Sequence, residues 1–304
     1  MPALADQWRR LFRLFRRSLW SREISRSLPV ASLKDFFTTE LLPEGLSYFD
    51  YQYSVARDVV IPWLDPHVSF AGLAVGDFGC HEGGVLQALR EIAGIASGIG
   101  FDVDEDSVRR SAFEQDSRFR LVLGDILDVD AARYKFDLIL LRDVIEHTPN
   151  PVAILEKAKT CLRDGGHIFV SFPPYYSPFG GHQHEAGNGV RFVPFIHYVP
   201  DGLFYHLSRF RDTPYMSAES TLADIRSVRQ TRLTLSKAER AFEEAGLRIE
   251  TQEFFLFRPE FQVRYGLSSW SVPFIQRLPV VREVATLGAY FLLRRAQRPR
   301  FESA

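Results

Sequence analysis

The segment Val75-Gly76-Asp77-Phe78-Gly79-Cys80-His81-Glu82-Gly83-Gly84 constrains this chain more than any other. An apolar run closes on an acidic residue, a glycine-rich turn follows, and Val85-Leu86-Gln87-Ala88-Leu89 opens a helical pattern. A strand that passes through such a turn into a helix N-terminus makes a nucleotide-binding corner, because unpaired backbone N–H groups converge there. The spacing, Asp-x-Gly-x-x-x-Gly, is neither the Gly-x-Gly-x-x-Gly of dinucleotide folds nor a P-loop ending in Gly-Lys-Ser/Thr.

The corner heads a series of strand–helix units. Leu73–Asp77 reads as a first strand, with a helix from Gly84 to about Ala93. Ile99–Asp102 is a second strand, with a helix near Asp106–Gln115, and Leu121–Leu123 is a third, ending at Gly124-Asp125. Phe136–Leu141 is almost continuously apolar, as a central parallel strand buried on both faces should be. Asn150 and Pro151 mark the start of the next helix, with Ile154, Leu155, Ala158, Cys161 and Leu162 as its apolar stripe. Gly165-Gly166 ends it, and His167–Phe172 is a fifth strand. Alternation of this kind predicts a doubly wound α/β fold.

After Pro173-Pro174 the texture changes. Residues 173–200 are rich in Pro, Gly, His and aromatics, and a helix follows at Gly202–Phe210. A long irregular insertion in a compact domain is functional or disordered, and its aromatic content argues against disorder. Ser236-Lys237-Ala238-Glu239 reads as a capping box for a helix ending near Gly246. Strands at about Leu247–Phe257 and Val284–Leu293 complete the sheet, with a short helical excursion at Tyr265–Arg277 between them. Four parts result: a helical N-terminal extension (1–65), an α/β core (66–172), an insertion that reads as a substrate lid (173–235) and the C-terminal part of the core (236–304).

Five signals in register resemble the class I S-adenosylmethionine (SAM)-dependent methyltransferases, over roughly residues 70–172 and more weakly over 236–293. Asp77-Phe78-Gly79-Cys80-His81-Glu82-Gly83 resembles motif I, and Asp102 stands where that family holds the ribose hydroxyls. Gly124-Asp125-Ile126 resembles the adenine-binding turn, Phe136 to His147 the strand-four segment of the small-molecule branch with its Glu-His pair, and Leu162–Gly166 the turn before strand five. The resemblance implies a mostly parallel, seven-stranded Rossmann-like sheet and SAM as cofactor. It implies contacts to SAM from Asp77, Gly79, Cys80, His81, Gly83, Asp102, Val103, Asp125, Ile126 and Arg142, and a kinship with quinone-precursor O-methyltransferases. His81 departs from the pattern, since the family has its second glycine there. At positive φ a histidine carries a steric cost.

Methyl transfer to a hydroxyl gains from a base. His147, just past strand four at the carboxyl edge of the sheet, fits that role or a loop-pinning one, and its near-neutral titration suits proton removal. His182, between paired glycines and His184, is a second acid/base or substrate contact, and Asp143 is the third catalytic candidate. Asp143, Glu146, His147 and His182 also form an oxygen/nitrogen set for Mg²⁺ or a similar ion, as in some RNA-terminal and quinone-ring O-methyltransferases. Metal-free relatives share the Glu-His pair, so the metal is the lesser alternative.

Composition bears on partners. The chain is 46% apolar and 25% charged with a formal net charge of −1, which argues against a dedicated nucleic-acid binder. No Asn/Asp-Pro-Pro-Tyr/Phe motif follows strand four, and Pro173-Pro174-Tyr175 follows strand five. Two widely spaced cysteines and no signal peptide read as a cytoplasmic protein. Residues 1–27 carry seven arginines against Asp6 and Glu23, and over residues 6–20 the arginines and the apolar residues fall on opposite helix faces. That pattern fits a peripheral contact with the inner face of a membrane, a helix packed on its own domain, or less well a transit peptide. The expected acceptor is small or lipid-linked, with no nucleic acid. The competing reading is a SAM-binding or inactive module that serves as a scaffold in an envelope-biosynthesis complex.

Overall fold

In the computed structural model, residues 46–212, 216–271 and 273–296 are described. The basic segment at residues 6–20 lies outside them. Helix α1 (Tyr48–Val55), capped by Ser47, runs through a π-helical turn (Ala56–Val60) into α2 (Ile61–Leu64). Strand β1 (Ala74–Phe78) then leads into α3 (Gly84–Ala88), β2 (Ser97–Asp102), α4 (Glu105–Arg110) and β3 (Phe119–Leu123). The chain returns through β4 (Phe136–Arg142), α5 (Pro151–Cys161) and β5 (Leu162–Phe172).

These strands pair in parallel in the order β3-β2-β1-β4-β5. The winding direction reverses between β1 and β4, the switch point outside whose strand ends doubly wound sheets bind ligands. One core cluster joins α5 to one face of the sheet through Ile154, Leu155, Ala158 and Cys161. On the other face, Val55 and Val59 of the N-terminal helical stretch meet Leu86 and Leu89. Gly84 makes this fit possible, because a Cβ there would lie 2.3 Å from the Phe49 carbonyl oxygen.

Beyond β5 come three 3₁₀ turns, α6 (Asp201–Leu207) and α7 (Ala218–Thr231), followed by α8 (Leu235–Glu244), β6 (Leu247–Phe257), α9 (Glu260–Tyr265), β7 (Trp270–Ser271), α10 (Pro279–Ala285) and β8 (Gly288–Arg295). Strand β8 inserts antiparallel between β5 and β6. Among the described residues the sheet therefore has eight strands rather than seven, the extra one being the two-residue β7 at the edge.

Several local readings shift. The strand expected from Val284 begins at Gly288, because Pro279 opens a helix over the preceding residues. Thr234, not Ser236, caps α8 by accepting from the Lys237 N–H at 3.1 Å. Ser236 donates to Glu283 instead. Helix α4 stops at Arg110, and Ser111 leaves the helical region to donate to the Glu82 carbonyl. The excursion at Tyr265–Arg277 divides into α9, ended by Gly266 at φ +66°, then β7 and a 3₁₀ turn at Pro273–Arg277. Helix α7 was not anticipated at all.

Candidate functional site

A cavity of about 710 Å³ opens outside the carboxyl ends of β1, β2 and β4. At one end the turn after β1 supplies Gly79 and His81, with Asp102 and Val103 from the end of β2. Gly79 sits at φ +84°, where an added Cβ would lie 2.4 Å from Val144 Cγ2. His81 takes φ +49°, a left-handed conformation that costs a side chain on the order of 1–2 kcal/mol. The surroundings hold it there. Its N–H donates to Asp102 Oδ2 at 2.6 Å, its Nε2 lies 3.0 Å from Ser107 Oγ, and its ring packs on Tyr48 at 4.2 Å. Asp102 Oδ1 accepts from the Asp104 N–H at 2.9 Å, so this carboxylate ties together the two loops that frame this end of the cavity.

Other sequence-predicted residues stand behind or beside the wall. Asp77 is buried beneath the turn, where burial pushes its carboxyl up to about 7 despite Arg142, and its Oδ2 has no hydrogen-bond partner among the described residues. Cys80 is buried against Gly100, and burial raises its thiol pKa, which leaves it inert. Gly83 precedes α3 at φ +84°. Asp125 spends its carboxylate on the Leu127 N–H at 2.8 Å, and Ile126 is core. Asp77, Cys80, Gly83, Asp125 and Ile126 are thus outside the cavity lining, whereas Arg142 is in it, donating to Gln52 Oε1 at 2.6 Å.

The opposite end gathers His147, His182, Glu185 and Asp224, with Glu146 behind them. The His147 and His182 rings meet edge to face at 4.9 Å. His147 Nδ1 lies 3.1 Å from Asp224 Oδ1 and 3.0 Å from Ser227 Oγ. Burial would lower the His147 pKa, but Asp224, Glu146 and Glu185 outweigh it and raise it to about 10. The near-neutral titration expected for His147 is therefore not found, and it is an imidazolium at neutral pH. His182 is the reverse. Burial and the charges of His147 and His184 hold it neutral, and neither ring nitrogen has a hydrogen-bond partner among the described residues.

Asp143 is drawn away from this cluster. At φ +51° it accepts from Arg258 Nη2 at 2.8 and 2.9 Å. Arg258 also bonds Glu260, which accepts from the Tyr290 hydroxyl at 2.7 Å. Burial opposes ionisation of Glu260, but Arg258 prevails and holds it at about 2. The oxygen/nitrogen set expected with Asp143 is consequently rearranged. Glu146, His147 and His182 bring ligand atoms within 4.8 Å of one another, as do His182, Glu185 and Asp224. Both carboxylate oxygens of the buried Glu146 lack a hydrogen-bond partner among the described residues, which suits a cation. Sequence reasoning missed Glu185, Asp224, Arg258 and Glu260. Glu185 at least had a signal, three residues after His182.

A doubly wound sheet with a glycine-rich turn, an acidic second-strand end and a cavity at the switch point defines a nucleotide-binding α/β fold. The chain belongs to the family described as Methyltransferase domain, which it matches over residues 56–252. It is 31% identical over 120 residues to the ubiquinone biosynthesis O-methyltransferase of Paraburkholderia phytofirmans (strain DSM 17436 / LMG 22146 / PsJN), covering 36% of this chain and 49% of that one. Identity to the enzyme of the same name from Stutzerimonas stutzeri (strain A1501) is 28% over 116 residues, with the same coverage. The chain spans about half the length of these curated relatives. Among solved structures, magnesium protoporphyrin IX methyltransferase from Synechocystis PCC 6803 with bound SAH is similar at a TM-score of 0.46 and 13% identity, over 88% of this chain and 94% of that one. No helix among the described residues is long and apolar enough to cross a membrane.

Proposed function

We propose that the chain transfers the SAM methyl group to a hydroxyl of a small, ring-containing acceptor bound between the donor loop and the histidine cluster. The observation that carries this reading is a single cavity with Gly79, His81 and Asp102 at one end and His147, His182 and Asp224 at the other. The backbone of the Gly79–Gly83 turn and the Asp102 carboxylate hold the donor. Tyr48, Tyr51, Phe179 and Phe261 line the space where a ring would lie. The acceptor oxygen attacks the sulfonium methyl in line, the carbon–sulfur bond breaks with its electron pair going to sulfur, and the hydroxyl proton passes to neutral His182. Protonated His147, held by Asp224, stabilises the oxyanion as it forms. Positioning in a water-poor pocket supplies much of the acceleration.

The buried Glu146 carboxylate, without a hydrogen-bond partner among the described residues, favours an alternative reading. A divalent cation held by Glu146, His147 and His182 would lower the pKa of the acceptor hydroxyl, with His147 giving up its proton and His182 serving as a ligand in place of the base. The insertion at 173–235 acts as the lid, since it contributes His182, Glu185 and Asp224. Resemblance to ubiquinone biosynthesis O-methyltransferases supports a phenolic acceptor with a lipid tail. Titration calorimetry with SAM, then assay of SAH formation on catechols with and without a polyprenyl tail and with and without Mg²⁺, tests the proposal. SAM binding without turnover on any hydroxylated ring would instead support a scaffold.

A further inference from the structure

The surface formed by Phe274, Leu278 and α10 is inside out. In α10 the polar residues turn inward. Arg282 pairs with Glu239 at the edge of α8, and the Glu283 carboxylate accepts from the Leu235 and Ser236 N–H groups at 2.8 and 2.9 Å. The apolar residues turn outward, with Val280 77% exposed and Val281 and Val284 exposed beside it. The preceding turn buries Ile275 as an anchor and holds out Phe274, 63% exposed, together with Leu278. A helix on a protein surface ordinarily does the opposite. A run of outward apolar side chains on an otherwise charged surface marks an interaction site.

The charges around this strip select the partner. Arg277 lies within it and is exposed. Lys237 and Arg240 on the neighbouring α8 are exposed as well, and the Lys237 ammonium sits over the carbonyls of Thr231 and Arg232 at 3.3 and 3.0 Å. A second copy docked face to face would set this basic rim against its like. An anionic bilayer surface complements it, with Trp270 suited to the headgroup level. The arginine-rich residues 1–27 have the same charge preference.

Position adds a third argument. Strand β8 is antiparallel to β5, and Phe172 at the carboxyl end of β5 pairs with Ala289. The start of β8, and α10 just before it, therefore lie at the sheet edge where the cavity opens. Leu287, three residues beyond Val284, lines the cavity itself.

We infer that the Phe274–Val284 strip is a membrane-docking surface for anionic lipid that sets the cavity mouth against the bilayer. The inference does not depend on the identity of the methyl acceptor. The test is co-sedimentation of the full chain with phosphatidylcholine vesicles with and without phosphatidylglycerol. The expected result is binding that requires the anionic lipid, falls about tenfold or more in Phe274→Ser and Val280→Glu, and leaves SAM affinity unchanged. Since a surface variant can misfold, Phe274→Trp is the companion. Its fluorescence should shift to the blue and be quenched by brominated lipid when vesicles are added. Vesicle binding unaffected by the strip variants would assign any membrane contact elsewhere in the chain and overturn the inference. So would a wild-type dimer that Val280→Glu converts to a monomer without a change in lipid binding.

Discussion

Replacing Glu146 by glutamine isolates the cost of a buried carboxyl that meets His147 Nε2 no closer than 3.9 Å. The side chain is 1% exposed, neither oxygen has a hydrogen-bond partner among the described residues, and burial raises the pKa from its ordinary 4.5 to about 8, with His147 opposing and Asp143 reinforcing. The folded state therefore keeps a proton that the unfolded chain releases above pH 4.5. Stability is full below that value and declines as pH rises through 8. At 1.36 kcal/mol per pKa unit, the loss is up to about 3 kcal/mol at pH 7 and about 5 kcal/mol above pH 8. Glutamine keeps the shape and does not titrate. With an unfolding entropy of roughly 0.6 kcal/mol per kelvin for a chain of this length, Glu146→Gln should gain about 5 °C in Tm at pH 7 and about 8 °C above pH 8, relative to the difference near pH 5. His147 adds a slope of the same sign between 6.5 and about 10, raised first of all by Asp224, which both proteins keep. Scanning fluorimetry of the ligand-free proteins from pH 5 to 9 reads this directly. A Tm difference that is flat with pH, or that favours the wild type as pH rises, would refute the reasoning.

Gly79→Ala should weaken SAM binding tenfold or more by calorimetry, because the new Cβ meets Val144 Cγ2 and φ +84° is unfavourable for alanine. Asp224→Asn should lower the His147 pKa from about 10 toward neutrality, as read by NMR titration of the ring, and move the pH–rate profile with it. Arg258→Met strands Glu260 in the core and should cost about 3–5 kcal/mol in urea unfolding at neutral pH. Glu260 is held at about 2, so its stabilisation is present above pH 4.5 and lost as pH falls toward 2. The deficit of the methionine variant should accordingly shrink in acid.

The glycine-rich turn and the Asp102 strand end were legible in sequence because they are local, although Asp77, Cys80, Gly83, Asp125 and Ile126 stand outside the cavity lining. A strand end, a turn and a helix start within ten residues of Asp77, and the second-strand Asp102, fix the loop by short-range geometry, down to the positive φ at His81. The acceptor half is made by chain segments far apart. Ser227, 80 residues downstream, and Asp224 on the same helix reach His147, and Arg258 captures Asp143 across 115 residues. No spacing rule announces such pairs, so the sequence offers Asp143 as a catalytic or metal-ligating carboxylate and His147 as a base or a loop-pinning ring. Helix α10 misled for a different reason. Only its end, Val284 and Ala285, falls within the strand expected from Val284, and the helix turns its polar Arg282 and Glu283 toward the protein.

Proton storage at the acceptor end has a consequence for binding. Burial pushes Glu146 and Glu185 up to about 8, and both are protonated in the free protein at neutral pH, while Asp224 holds a proton on His147. A cation arriving beside them favours the ionised carboxylates and the neutral imidazole, so it must expel protons to bind. Raising the pH from 6 to 8 removes part of that work in advance. Affinity for Mn²⁺, used alone as the probe, should therefore rise by about tenfold or more over this range if one or more protons leave. Calorimetry in buffers of different ionisation enthalpy counts the protons directly. An affinity independent of pH, with no buffer-dependent heat, would show that the carboxyls of Glu146 and Glu185 take no part in holding a cation and that their burial serves the lid alone.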